Sequence, residues 1–69
     1  MAIKTSKISE LIKALENIKN IEGDLPIVMS KDEEGNGYGA IDVNELYGLY
    51  NGVISIYPSS SHHDIEDFI

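Results

Sequence analysis

The residue types best suited to chemistry in this 69-residue chain lie in a short acidic segment near its middle. Asp32, Glu34 and Asn36 alternate and Gly37 follows them, which matches the first six positions of a calcium-binding loop. The twelfth position of that loop requires a bidentate glutamate, and Val43 stands there instead. We therefore expect a polar turn between two strands rather than a calcium site.

Two adjacent histidines near the end of the chain are the second candidate for chemistry. His62-His63-Asp64 offers imidazole and carboxylate groups that bind transition metals, although neighbouring histidines in a serine-rich segment are more often solvated. The chain has no cysteine, and its serines lie near no base except these histidines, so nucleophilic catalysis lacks its partners. Paired carboxylates need a pocket that excludes water, which a chain of this length rarely encloses. We expect no enzyme activity, no cofactor and no metal.

Charge is distributed unevenly along the chain, whose net charge is −7. Residues 1–31 hold all five lysines and four acidic residues, whereas residues 32–69 hold eight acidic residues and no lysine or arginine. Binding to nucleic acid or to an anionic membrane needs clustered basic residues, so neither is expected. An acidic body favours a basic protein partner instead. No apolar run approaches the roughly 18 residues of a membrane span, so we expect a soluble, cytoplasmic protein.

An amphipathic helix is predicted before the acidic segment. Glu10 and Lys19 suit the positive and negative ends of the helix dipole, and Gly23 is placed to end a helix that runs to about residue 20. Either Ser6 or Ser9 could cap its start. Apolar residues recur at steps of three and four, and we expect this stripe to pack on the protein's own sheet. The stripe comprises Ile8, Leu11, Ile12, Leu15 and Ile18.

Strands are predicted on both sides of the acidic segment and again near the end of the chain. Residues 27–29 form a short apolar run after Pro26, and a second strand is expected from Tyr38 through Ile41 and Val43. Asn51-Gly52 separates two further apolar runs, which is typical of a hairpin with a two-residue type I′ turn. That register pairs Tyr50 with Val53, Leu49 with Ile54, Tyr47 with Ile56, and Leu46 with Tyr57.

These elements predict an α+β fold, with one N-terminal amphipathic helix packed on a small, mainly antiparallel three- or four-stranded sheet. Residues 1–58 would form the domain and residues 59–69 an acidic C-terminal tail. Within that tail Ser61 could start one helical turn. A single helix covers only one face of such a sheet, so the other face, which carries four apolar or aromatic residues, would stay exposed. That face holds Leu46, Tyr50, Val53 and Tyr57. We expect it to contact a second copy of the chain or another protein.

Four segments together resemble the small proteins found widely in bacteriophage and prophage genomes. They are Ser9-Glu10-Leu11-Ile12, Gly23-Asp24-Leu25-Pro26-Ile27-Val28, the run from Ser30 to Tyr38, and Val53-Ile54-Ser55-Ile56-Tyr57-Pro58. That family has a leading helix, a strand entered through Leu-Pro, an Asp-x-Glu-Gly-Asn-x-aromatic loop and a closing strand that ends in Tyr-Pro or Trp-Pro. The chain departs from it where Ala40-Ile41 replaces the expected Pro-Leu. The resemblance implies a phage context and a helix-plus-sheet fold, and no particular activity.

From these features we expect a non-enzymatic phage accessory protein that binds and inhibits a host or anti-phage defence protein, for which an acidic DNA mimic is one form. One alternative is an oligomeric sponge that sequesters a signalling nucleotide in a pocket lined by Lys4 and Lys7. Another is a structural component of a virion or scaffold. We also expect a homo-oligomer, formed through the exposed face of the sheet. The predicted contact residues are Asp32, Glu33, Glu34, Asn36, Tyr38, Leu46, Tyr50 and Tyr57.

Overall fold

The computed structural model describes residues 3–60 and 63–69, which form one helix, four short strands and a terminal 3-10 helix. The order is α1 (Ile8–Glu22), β1 (Val28–Ser30), β2 (Tyr38–Ala40), β3 (Tyr47–Tyr50), β4 (Val53–Ile56) and the 3-10 helix Ile65–Phe68. The α+β class and the N-terminal helix are confirmed. The strands, however, form two separate antiparallel sheets of two strands each, β1–β2 and β3–β4, instead of one sheet of three or four.

The ends of α1 are set by local backbone geometry. Neither serine caps the helix: Lys7 stands at the N-cap, and its backbone N–H donates to Glu10 Oε1 at 2.9 Å. At the other end Gly23 has a φ of +98°, and its N–H donates to the Lys19 carbonyl at 2.8 Å. Glycine adopts such a positive φ without the steric cost that other residues incur, so the helix ends after Glu22, slightly later than expected.

The predicted packing of α1 on the protein's own sheet is wrong. No residue of α1 is buried, and the five side chains of its apolar stripe keep between 40% (Leu15) and 62% (Ile8) of their surface exposed. Among the described residues only Gly37 and Gly39 are buried. The physical reason is that the strands divide into two separate hairpins, so the chain does not form the three- or four-stranded sheet on which the helix was expected to pack.

The β3–β4 hairpin confirms the predicted turn and register. Tyr47 pairs with Ile56, Leu49 with Ile54 and Tyr50 with Val53, and the Tyr57 N–H donates to the Leu46 carbonyl one step further along. Asn51 and Gly52 both have positive φ, at 47° and 81°, as a type I′ turn requires. Alternation sorts the side chains into two faces. We call them the Leu49 face (Tyr47, Leu49, Ile54 and Ile56) and the Tyr50 face (Leu46, Tyr50, Val53 and Tyr57).

The β1–β2 hairpin is longer in its loop and is joined by the end of the chain. Val28 pairs with Ala40 and Ser30 with Tyr38, so β2 ends before the predicted Ile41 and Val43. On its other edge Tyr38 forms a bridge with His63, with N–H···O distances of 2.9 and 3.1 Å. His63 therefore contributes one strand position beside β2.

The same chain end passes close over the middle of β2. A side chain at Gly39 would collide with the Ser60 carbonyl oxygen and with the ring of Pro58. The chain then closes with the 3-10 helix after Asp64, while the helix start predicted at Ser61 lies outside the described residues. Glycine at position 39 is therefore what allows the chain end to lie flat on the sheet.

Candidate binding surfaces

The acidic loop between β1 and β2 is organised by one carboxylate. Asp32 Oδ1 accepts hydrogen bonds from the backbone N–H groups of Glu34 at 3.0 Å and Asn36 at 3.1 Å. Asp32 Oδ2 accepts from Asn36 Nδ2 at 2.8 Å, and the same amide group lies 3.4 Å from Glu34 Oε2. An aspartate that caps the amides following it is a common turn device. The predicted contact residues Asp32, Glu34 and Asn36 thus lie together, and Asp32 and Asn36 hold the loop in shape.

These hydrogen bonds change the acidity of the loop. The backbone N–H of Asn36, and next its side-chain amide, hold the pKa of the Asp32 carboxyl below its ordinary value. Hydrogen bonds to the ionised form favour that form, so Asp32 stays charged further into acid than a free aspartate. Asp32 therefore keeps its negative charge across the neutral and mildly acidic range.

The side chain of Tyr38, at the start of β2, lies against the acidic loop. The Tyr38 hydroxyl oxygen would lie 2.6 Å from a Cβ placed at Gly35, where φ is +72°. Across the loop, the aliphatic part of Lys31 lies against Gly37. Because its ring is half-buried at the base, Tyr38 contributes to loop structure as well as to the surface. Glu33 is exposed at the tip.

The other predicted contact residues lie on the second hairpin, on its Tyr50 face. Tyr57 lies across the neighbouring strand, with its hydroxyl 3.3 Å from where a Cβ at Gly48 would stand. Leu46 is half-buried, whereas Tyr50 keeps 75% of its surface exposed. A glycine in a strand that is covered by a cross-strand aromatic ring is a known stabilising pair. Tyr57 is thus partly used inside the hairpin, and Tyr50 is the most exposed tyrosine among the described residues.

A third surface was missed by the sequence interpretation, which expected the apolar stripe of α1 to be covered by the sheet. The apolar stripe of α1 continues into the link that follows the helix, and together they line an open apolar groove. Its apolar lining consists of Ile12, Leu15, Ile18, Leu25, Pro26 and Ile27. The sequence signal that could have revealed this surface was the small number of predicted strands. Periodicity identifies the apolar face of a helix, but it does not show what covers that face.

Of the two lysines expected to line the pocket of a nucleotide-binding sponge, only one lines a groove. Lys7 lies in a second open groove between the start of α1 and the tip of the β3–β4 hairpin, together with Thr5, Ser6 and Ser9. Lys4, the other lysine of that alternative, does not line this groove.

The second histidine of the pair, His63, is held by contacts within the chain. His63 takes part in the bridge to β2, its ring lies edge-on to Phe68 at 5.6 Å between centroids, and its Nδ1 is 3.6 Å from Asp67 Oδ2. His62 lies outside the described residues. Within residues 3–60 and 63–69 no three His, Asp or Glu side chains are grouped so that they could hold a metal ion.

The described part of the chain contains no helix long and apolar enough to cross a membrane. Comparisons of the chain with protein-family models, with curated proteins and with solved structures found no match.

Proposed function

We propose that this protein is a non-enzymatic accessory protein of a bacteriophage, which acts by binding and blocking a basic protein of the bacterial host or of its anti-phage defence. The phage context rests on the resemblance of its helix, loop and closing strand to small phage proteins. The mode of action rests on the surfaces that the fold leaves exposed.

The observation that carries the proposal is the exposed Tyr50 face of the β3–β4 hairpin. Tyr50 and Val53 keep 75% and 60% of their surface exposed, and they pair across the hairpin next to its type I′ turn. Aromatic side chains on rigid supports are enriched at protein interfaces, since they bury a large area and lose little conformational entropy. Tyr50 is therefore the expected anchor of the contact.

Charge indicates the chemistry of the partner. Residues 32–69, which include the β3–β4 hairpin and most of the acidic loop, carry eight acidic residues and no lysine or arginine. Such a surface attracts a basic partner and repels an acidic one, and it raises the rate of encounter at low salt. Many basic protein surfaces bind nucleic acid, so inhibition by occupying a DNA-binding surface is one form of this function.

The proposal is tested by capture from a bacterial lysate with a tagged chain, comparing the wild type with Tyr50→Ala. We expect a basic protein to be retained by the wild type, to be released by added salt, and to be lost with Tyr50→Ala, because removing an interface anchor costs about 2 kcal/mol or more. Lys13→Ala, on the side of α1 away from the stripe, serves as the control and should retain the protein.

Equal retention by the wild type and Tyr50→Ala would contradict the assignment of the Tyr50 face. Duplex DNA added to the captured complex separates the two forms of the function, since it competes only if the captured protein is held through its DNA-binding surface.

A further inference from the structure

The described chain exposes more surface than a compact monomer of its mass. Its accessible surface is 6388 Å², whereas a folded monomer of 7.6 kDa exposes about 4,300 Å². Its radius of gyration is 13.5 Å, against about 11 Å for a compact chain of 69 residues. The excess of about 2,000 Å² is well above the roughly 800 Å² that each partner buries in a standard interface, and matches the larger interfaces of obligate homodimers.

Two apolar surfaces of different kinds contribute to this excess. One is the stripe of α1 with the groove beside it, where Leu25 and Ile27 keep 65% and 55% of their surface exposed. The other is the Leu49 face of the β3–β4 hairpin, on which Tyr47 and Leu49 keep 61% and 70% exposed. A single copy leaves both the helix surface and the sheet surface uncovered.

The two surfaces are complementary to each other. An apolar helix stripe and an apolar sheet face are the two halves of a helix-on-sheet layer, the arrangement by which small α+β domains bury their core. A foreign partner would have to provide both a sheet for the helix and a helix for the sheet, whereas a second copy of this chain carries both. Two-fold symmetry then forms the contact twice and closes the assembly.

Charged side chains do not obstruct this arrangement. Residues 46–57, which include β3, β4 and their turn, contain no Asp, Glu, Lys or Arg. Packing the α1 stripe of another copy on this hairpin therefore buries no charge of the hairpin.

We propose that two copies of this chain form a reciprocal homodimer, in which the apolar stripe of α1 of each copy packs on the Leu49 face of the other copy's β3–β4 hairpin. This goes beyond the proposed function, because the Tyr50 face remains outside the dimer contact. A chain that proves monomeric could still bind a basic protein, and a dimer could fail to bind one.

The first test measures mass in solution by sedimentation equilibrium over a wide concentration range. We expect about twice the chain mass of 7.6 kDa, with a single chain present only at high dilution. A mass of 7.6 kDa at every concentration, with the helix intact by circular dichroism, would overturn the proposal.

The second test identifies the surfaces by disulfide cross-linking, for which the chain is suited because it has no cysteine. Leu15→Cys and Leu49→Cys chains with different tags are unfolded, mixed, refolded together and oxidised. We expect a cross-linked species that contains both tags. Lys13→Cys mixed with Leu49→Cys is the control, because Lys13 lies on the other side of α1, and it should cross-link at least ten times less. Equal cross-linking by both pairs would contradict the arrangement.

The third test is Leu15→Glu. In a lone chain Leu15 is already 40% exposed, so a charge there would be tolerated and helix content would stay unchanged. In the dimer the charge would be buried, and either dissociation or loss of helix should follow. A Leu15→Glu chain that keeps both its dimer mass and its helix would overturn the proposal.

Discussion

The two hairpins of this protein differ in how each is completed. The β1–β2 hairpin has a loop held by the Asp32 carboxylate, two buried glycines, and the end of the chain laid across it. The β3–β4 hairpin has a tight two-residue turn and side chains that stay largely exposed on both faces. The first is completed by contacts within the chain, and the second has apolar surface that the chain does not cover.

This difference separates two kinds of stabilisation. Hydrogen bonds and close backbone approaches within a few residues act in a single copy, and they shape the acidic loop. Burial of apolar surface requires area on two sides, and 69 residues with four short strands supply too little of it inside one chain. In the proposed dimer, the β3–β4 hairpin is therefore where the second copy contributes most to folding.

The largest single effect is expected at Gly39, in the hairpin that the chain completes by itself. Gly39→Ala places a methyl group against the Ser60 carbonyl and the Pro58 ring, neither of which is the flexible end of a side chain. We expect the free energy of unfolding to fall by about 1–3 kcal/mol, measured by urea denaturation. The matched control is Gly48→Ala, where the nearest group is the movable Tyr57 ring, and its loss should be smaller. Equal losses would show that the chain end is not packed tightly on β2.

The next effect tests the hairpin that depends on its turn. Gly52 has a φ of +81°, which costs a residue with a side chain about 1–2 kcal/mol. Gly52→Ala should lower the free energy of unfolding by about that amount. Asn51→Asp should be nearly neutral, since Asp-Gly also suits a type I′ turn. A stable Gly52→Ala variant would mean that this hairpin is held by its partner surface more than by its turn.

A smaller effect is expected in the acidic loop. Asp32→Ala removes three hydrogen bonds from the loop and should lower Tm modestly, whereas Glu33→Gln at the tip should change stability by less than about 0.5 kcal/mol. Because the pKa of Asp32 is lower in the folded state, its contribution is present above the ordinary aspartate pKa and is lost as pH falls through the folded value. The Tm difference between wild type and Asp32→Ala should therefore shrink in acid. A difference that stays constant with pH would argue against the capping role.

The features that sequence predicted correctly are local ones. The Asn51-Gly52 turn and the β3–β4 register follow from residues adjacent in the chain, and the position of α1 follows from a repeat of three and four residues. The crossing of Pro58 and Ser60 over Gly39 depends on residues about twenty positions apart, and a lone glycine in a strand does not identify what approaches it. Whether the α1 stripe is covered depends on how the strands pair, and the strands form two separate sheets instead of one.

Among the candidate contact residues, too, sequence predicted what is local and missed what depends on contacts in the fold. The sequence grouped Asp32, Glu34 and Asn36 correctly as one loop, because they are neighbours. The sequence could not show which of these side chains hold the loop in shape and which are only exposed on it. That depends on which amide N–H groups donate hydrogen bonds to each carboxylate. Asp32 and Asn36 are joined by hydrogen bonds that hold the loop, and on the second hairpin Tyr50 is the most exposed of the predicted contact residues.

The bridge between Tyr38 and His63 has a consequence for local opening of the structure. Each backbone N–H donates to the carbonyl of the other residue, so detaching the end of the chain frees both amides in one event. In hydrogen exchange the two amides would share one opening free energy, although 25 positions separate them in the sequence. The base of the acidic loop and the last residues of the chain thus behave as a single cooperative unit, and a proteolytic cut at the chain end would loosen the loop.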